Sequence, residues 1–184
     1  MVLAGGRGRR LGGINKSLIE IEGLTILQRT LDVLKPLFNE ILISGWTDKS
    51  ELPAGIRMVD DNFPGRGPLA GIEAAMKATQ AHYIFVFGGD MPWLSETIIR
   101  DQAVDFLEDP VDVLVPRINN FAEPLHAIYN CRLQSSLETF LRSGERPAVI
   151  DFIRLSRVRY LDLPSTEETV RAFTNINTSE DLQG

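Results

Sequence analysis

Three short segments of this chain have the residue types and spacing to handle phosphates and a divalent cation. The first is Leu3-Ala4-Gly5-Gly6-Arg7-Gly8-Arg9-Arg10-Leu11-Gly12-Gly13-Ile14-Asn15-Lys16, which holds five glycines and no acid. Glycine lets backbone N–H groups close on a phosphate and accepts positive φ without steric cost. Arg10 and Lys16 add mobile positive charge for outer phosphate oxygens. The second segment is Gly67-Pro68-Leu69-Ala70-Gly71, a loop entering a helix N-terminus, where free N–H groups and the helix dipole favour an anion or a polar base edge. The third is Gly88-Gly89-Asp90-Met91-Pro92, which places a carboxylate after an apolar run. A carboxylate at that point suits Mg²⁺, which prefers one or two carboxylates together with phosphate oxygens and water.

Each segment also has a plain structural reading. The glycines fit a flexible surface loop, Pro68 can simply start a packing helix, and Asp90 before Pro92 is ordinary turn chemistry. Two commoner phosphate loops do not fit. Ile14-Asn15 separate Gly13 from Lys16-Ser17, so there is no contiguous Gly-Lys-Ser/Thr. The third glycine of a dinucleotide fingerprint would fall on Leu11.

The elements that must position these residues alternate strand and helix, as in βα units on a mostly parallel sheet. Val2-Leu3-Ala4 is a strand stub running into the glycines. Thr25 to Phe38 has helical apolar spacing, Ile41-Leu42-Ile43 is a strand, and Asp60-Asp61 end another short one. Pro68 opens a helix with Leu69, Ile72 and Met76 on one face, and Tyr83 to Phe87 reads as a central strand covered on both sides. Ser95 caps a helix reaching Leu107. Val111 to Val115 and Leu125 to Tyr129 are strand candidates, and Arg132 to Arg142 and Pro147 to Leu155 are helix candidates. Thr178 to Asp181 has capping-box spacing before a last helix. The expectation is one α/β domain over residues 1–184, doubly wound, with a mostly parallel sheet and helices on both faces.

Composition narrows the function classes. With 184 residues, 43% apolar and 24% charged, the chain can bury a sizeable core. A net charge of −6 argues against a nucleic-acid or membrane surface, while the acid-free first segment makes a local anion site. No apolar run approaches the ~20 residues of a membrane span. The N-terminus does not read as a signal peptide, and the single Cys131 can form no internal disulfide, which together fit a cytoplasmic protein.

Leu3-Ala4-Gly5-Gly6, Arg10, Gly12-Gly13 and Lys16 resemble the signature loop of the nucleotidyltransferases that activate sugars, isoprenoid precursors and molybdopterin. Gly67 to Gly71 narrows the resemblance to the molybdenum cofactor (molybdopterin) guanylyltransferases, and Gly88 to Pro92 resembles their metal segment, with glycine before the aspartate. The resemblance implies a Rossmann-like fold that transfers GMP from GTP to the phosphate of molybdopterin and releases pyrophosphate. In that family the loop wraps the triphosphate, and a glycine at the position of Gly5 accompanies guanine-using members. It assigns Leu3, Ala4, Gly5, Gly6, Gly13, Lys16, Asp61 (or Asp60), Gly67, Gly71 and Asp90 to the nucleotide. Arg10, Lys16 and Asp90 take the catalytic roles, and Asp90 holds Mg²⁺.

Gly144-Glu145-Arg146 and Phe173 to Thr178 resemble segments lining the acceptor side. There Arg146 is a candidate for the molybdopterin phosphate, and Asn175 and Asn177 for phosphate or pterin. Arg117 and Glu123-Pro124 are weaker acceptor candidates, whereas His82 and His126 read as structural. Cofactor-delivery or molybdoenzyme-maturation proteins are the protein partners the resemblance admits. A phosphate monoester is already dianionic at neutral pH, so the chemistry needs no histidine base. Trp46, where relatives carry asparagine, and Gly88 leave open a non-catalytic nucleotide-binding module. A cytidylyl- or sugar-phosphate transferase is the other alternative.

Overall fold

Alternation along the strands divides the apolar residues between two cores. The computed structural model describes residues 1–5, 16–46, 52–143 and 148–176. Strands β1 (Val2–Leu3), β4 (Ile41–Ser44), β5 (Ile56–Val59) and β6 (Tyr83–Gly88) run parallel, in the spatial order β5-β4-β1-β6. Beyond β6 comes the antiparallel β9 (His126–Asn130), then β7 (Val113–Ile118) and, at the edge, β10 (Val158–Asp162) parallel to β7. A short β8 (Phe121–Ala122) folds back on β7 through Asn119 and Asn120, both at positive φ.

Leu42, Ile84, Val86, Val113, Val115, Ala127 and Tyr129 face one core. They pack with α2 (Pro68–Ala78), α4 (Gln134–Arg142) and α5 (Val149–Ile153). Ile41, Ile43, Phe85, Phe87, Leu114 and Ile128 face the other, beneath α1 (Ile26–Leu34) and α3 (Glu96–Glu108). Helices therefore cover both faces of a mostly parallel sheet, as the sequence pattern predicts. A hairpin of β2 (Glu20–Ile21) and β3 (Leu24–Thr25) leads into α1, and α6 (Glu167–Ala172) follows β10.

Thr25 starts α1 with a capping box: its hydroxyl accepts the Gln28 N–H at 3.1 Å, and the Gln28 side chain accepts the Thr25 N–H at 2.8 Å. The helix stops at Leu34 rather than Phe38, because Pro36 has no N–H to continue the ladder. Strand β7 runs further than Val115, through Pro116. Its pairing with β9 involves only Val113 and Leu114, so the missing proline N–H costs that ladder nothing. Arg132 to Arg142 divides into a 3-10 turn, Cys131–Leu133, followed by α4. Pro147 and the capping box at Thr178 lie outside the described residues.

Candidate active site

The carboxyl ends of β1, β4 and β6 open into one cleft of about 200 Å³. It lies where the chain leaves β1 for β4 on one side and later returns to β6 on the other. Such a switch point is where open α/β sheets hold ligands. Leu3, Ala4 and Gly5 line it from β1, Ser44 and Gly45 from β4, and Gly88, Gly89 and Asp90 from β6. Gly67 and Pro68 close it at the N-terminus of α2, Asp61 from the loop after β5, and Lys16 and Ser17 from the 3-10 turn Lys16–Leu18.

Close backbone approach explains several of these residue types. Gly45 has φ +73°, and a Cβ on it would lie 2.2 Å from the Gly5 Cα; one on Gly5 would lie 2.8 Å from the Gly45 Cα. The two glycines therefore let the chain at Gly5 pass close against the end of β4. A Cβ on Gly89 would meet the Leu3 carbonyl at 2.5 Å and the Ser17 hydroxyl at 2.9 Å. In return the Gly89 N–H donates to Leu3 O at 3.0 Å, and Ser17 Oγ donates to Gly89 O at 3.1 Å. Packing thus accounts for glycine before Asp90. Trp46, only 6% exposed, lies in the α1–α3 core.

Asp90 sits at the turn after β6 with its carboxylate 3.1 Å from Lys16 Nζ. The side chains keep 28% and 17% of their surface, so both remain reachable by a ligand. The Asp90 carbonyl accepts the Ile176 N–H at 2.9 Å, which ties the segment after α6 to the same turn. Asp61, not Asp60, lines the cleft, and Asp61 Oδ1 is buried with no hydrogen-bond partner among the described residues. Burial foremost, then the charges of Asp60 and Glu73, raises its carboxyl above the ordinary range. A buried acceptor of this kind gains most from a ligand N–H or O–H.

Sequence reasoning missed Glu73, which is fully buried on α2. It accepts hydrogen bonds from Asn62 Nδ2 and Gln134 Nε2, each at 2.8 Å, and so anchors the loop that carries Asp61. An acid on the inward face of a helix was the available signal. Gly71, one turn into α2, is pressed against the sheet; a Cβ there would sit 2.2 Å from Ser44 Oγ and 2.7 Å from the Leu3 side chain.

On the far side of Asp90, Asn175 donates to Glu123 Oε2 at 3.3 Å, and the Leu125 N–H donates to Glu123 Oε1 at 2.9 Å. Burial first, with a smaller contribution from Asp90, pushes the Glu123 carboxyl up. Arg117 is instead held by a bidentate pair with Asp162 at 2.6 Å and stacks over Tyr160. His126 is fully buried against Phe85, Phe87 and Phe173, a structural role, and His82 is exposed at the start of β6. Arg10, Gly6, Gly13, Arg146 and Asn177 lie outside the described residues.

Residues 1–158 match the model of the MobA-like NTP transferase domain. The chain is 36% identical to a probable molybdenum cofactor guanylyltransferase of Pelotomaculum thermopropionicum, over 99% of this chain and 88% of that one. It is 31% identical to the molybdenum cofactor guanylyltransferase of Desulfosudis oleivorans, over 100% and 91% of the two chains. The structure superimposes on molybdopterin-guanine dinucleotide biosynthesis protein A from Archaeoglobus fulgidus with a TM-score of 0.82 at 26% identity, covering 99% and 93%. The family model and these relatives together show that the chain belongs to the MobA-like NTP transferases, in the family of molybdenum cofactor guanylyltransferases.

Proposed function

We propose that this protein transfers GMP from GTP to the terminal phosphate of molybdopterin, releasing pyrophosphate. The observation that carries the reading is the convergence of Lys16, Asp90, Asp61 and the α2 N-terminus on the cleft between β1, β4 and β6. Lys16 neutralises charge that accumulates on the leaving pyrophosphate. The amides at Gly5 and at the α2 N-terminus are available to phosphate oxygens or to the base edge. Asp61 accepts from an N–H or O–H of the nucleotide. The acceptor phosphate supplies its own dianionic nucleophile, so the chain's task is to hold two anions in line.

Mg²⁺ fits the donor set. Among the described residues no group of three or more His, Cys, Asp or Glu could hold a metal by itself. The partly exposed Asp90 carboxylate in the cleft suits a cation whose other ligands are phosphate oxygens and water. When bound, the metal would neutralise charge on the triphosphate; Asp90 would hold it, with the Lys16 ammonium beside it as a second positive charge for the phosphates. GTP and molybdopterin are the proposed substrates. No helix among the described residues is long and apolar enough to cross a membrane. A cytoplasmic location is part of the proposal and rests on the reading of the sequence.

The test is a nucleotide panel. Purified protein with Mg²⁺ and molybdopterin is given GTP, CTP, ATP or UTP, and pyrophosphate and dinucleotide are measured. GTP should be turned over at least ~10-fold faster than CTP, because buried groups that pair the guanine edge go unpaired with another base. Equal turnover of CTP and GTP would overturn the guanylyl assignment.

A further inference from the structure

The loop that carries Asp61 is backed by a fully buried acid. Glu73 on α2 divides its oxygens between two elements: Asn62 Nδ2 donates to Oε2 and Gln134 Nε2 to Oε1, each at 2.8 Å. Asn62 follows Asp61 and is exposed, and Gln134 opens α4. At the far end of α4 the Arg142 guanidinium lies 5.3 Å from the centre of the Phe63 ring. Helix α4 therefore holds residues 62 and 63 at two points, one of them through Glu73. A carboxylate inside the fold is costly to desolvate, and both partners of Glu73 among the described residues are neutral amides. An apolar side chain of similar length would spare that cost. The Glu73 charge also works against its surroundings. It adds to the burial that raises the Asp61 carboxyl, and it repels any anion in the cleft that Asp61 lines. Electrostatics gives no reason for an acid here; the grip on Asn62 does.

We propose that Glu73 is a positioning residue for the loop after β5: by holding Asn62 it fixes Asp61 at the cleft, and the fold gives up stability to keep it. This rests on the guanylyltransferase reading above and deepens it, because it names what sets the nucleotide-facing loop in place. Stability and nucleotide binding then separate. Glu73→Met releases Asn62 to solvent and removes a buried charge, whereas Asn62→Ala leaves that charge buried with one acceptor oxygen unpaired.

The experiment measures equilibrium GTP binding in Mg²⁺, the molybdopterin KM and thermal unfolding for Glu73→Met, Asn62→Ala and the double variant. GTP binding is measured again for each with Asp61→Asn added. Glu73→Met should weaken GTP binding at least ~10-fold, leave the molybdopterin KM unchanged, and keep or raise the unfolding midpoint. Asn62→Ala should weaken GTP binding by a similar factor but lower the midpoint. The double variant should bind GTP no worse than the worse single variant, and neither change should add more than ~2-fold once Asp61 is asparagine. Unchanged or tighter GTP binding in Glu73→Met would overturn the proposal, tightening being what relief of charge alone predicts. A lowered midpoint in Glu73→Met, an increased molybdopterin KM, or full additivity with Asp61→Asn would overturn it as well. A wild-type protein that prefers another nucleoside triphosphate would remove the guanylyl reading, while the same cycle run with that nucleotide still decides the role of Glu73. A wild-type protein that binds none would overturn both.

Discussion

Single residues at this site are recognisable by what their alternatives would lose. Lys16 closes an acid-free segment and ends 3.1 Å from Asp90, so its charge lies where a triphosphate would lie. Lys16→Ala should lower kcat/KM at least ~100-fold, about 2.7 kcal/mol of transition-state stabilisation, with the fold intact by circular dichroism. A folded variant with unchanged kinetics would remove Lys16 from the mechanism. Asp90→Asn keeps size and removes the charge that would hold Mg²⁺, and activity should fall at least ~100-fold at ordinary Mg²⁺ concentrations. Because Asp90 is partly exposed, thermal stability should change little; full activity would pass the metal-holding role to Asp61. Type and position alone singled out these two residues, and the fold brings them together in the cleft. They did not single out Glu73, since its role lies in which distant amides the fold brings to it.

At the scale of elements, the strand–helix order, the Gly67–Pro68 helix start and the Ser95 cap could be read directly, because each depends on local chemistry. Misplaced boundaries have local causes too: Pro36 ended α1 early, and Pro116 sat in a part of β7 where no N–H was needed for β9. The hairpin β2–β3, the edge strand β10 and the short α6 escaped notice because elements of two to six residues carry too little period to read. The close approach of Gly5 to Gly45 at the end of β4 is a tertiary fact that sequence shows only as a glycine in each of two distant segments. It yields a sharp expectation for Gly45→Ala. Positive φ costs an L residue ~1–3 kcal/mol, and the new Cβ would press into the Gly5 backbone, so destabilisation should exceed ~2 kcal/mol by denaturant unfolding. Gly55, also at positive φ but with open space around its Cβ position, is the control, and Gly55→Ala should cost distinctly less. Equal costs at the two positions would contradict the close-approach account.

For the whole molecule, two cores on opposite faces of one sheet hold the cleft, and the sequence pattern predicted that architecture. One buried group ties overall stability to pH. Burial lowers the His126 imidazole from an ordinary 6.5 to about 4. The unfolded chain therefore binds this proton at a higher pH than the folded one. Stability is expected to fall as pH drops from about 6.5 toward 4, by ~3 kcal/mol from this group. His126→Phe, placed among Phe85, Phe87 and Phe173, should lessen that acid loss when unfolding free energy is compared at pH 7 and pH 4.5. Parallel pH dependence in the two proteins would show that His126 is not the source.

The central claim, transfer of GMP from GTP to a phosphate acceptor, is tested most directly by following two radiolabels through one reaction. Protein, Mg²⁺ and molybdopterin are incubated with GTP labelled at the α-phosphate or at the γ-phosphate, and the products are separated. The account predicts that α-label enters the dinucleotide while γ-label leaves entirely as pyrophosphate. Label from the γ-phosphate appearing on the acceptor, or as free orthophosphate in place of pyrophosphate, would mean that the site breaks a different bond and would contradict the account.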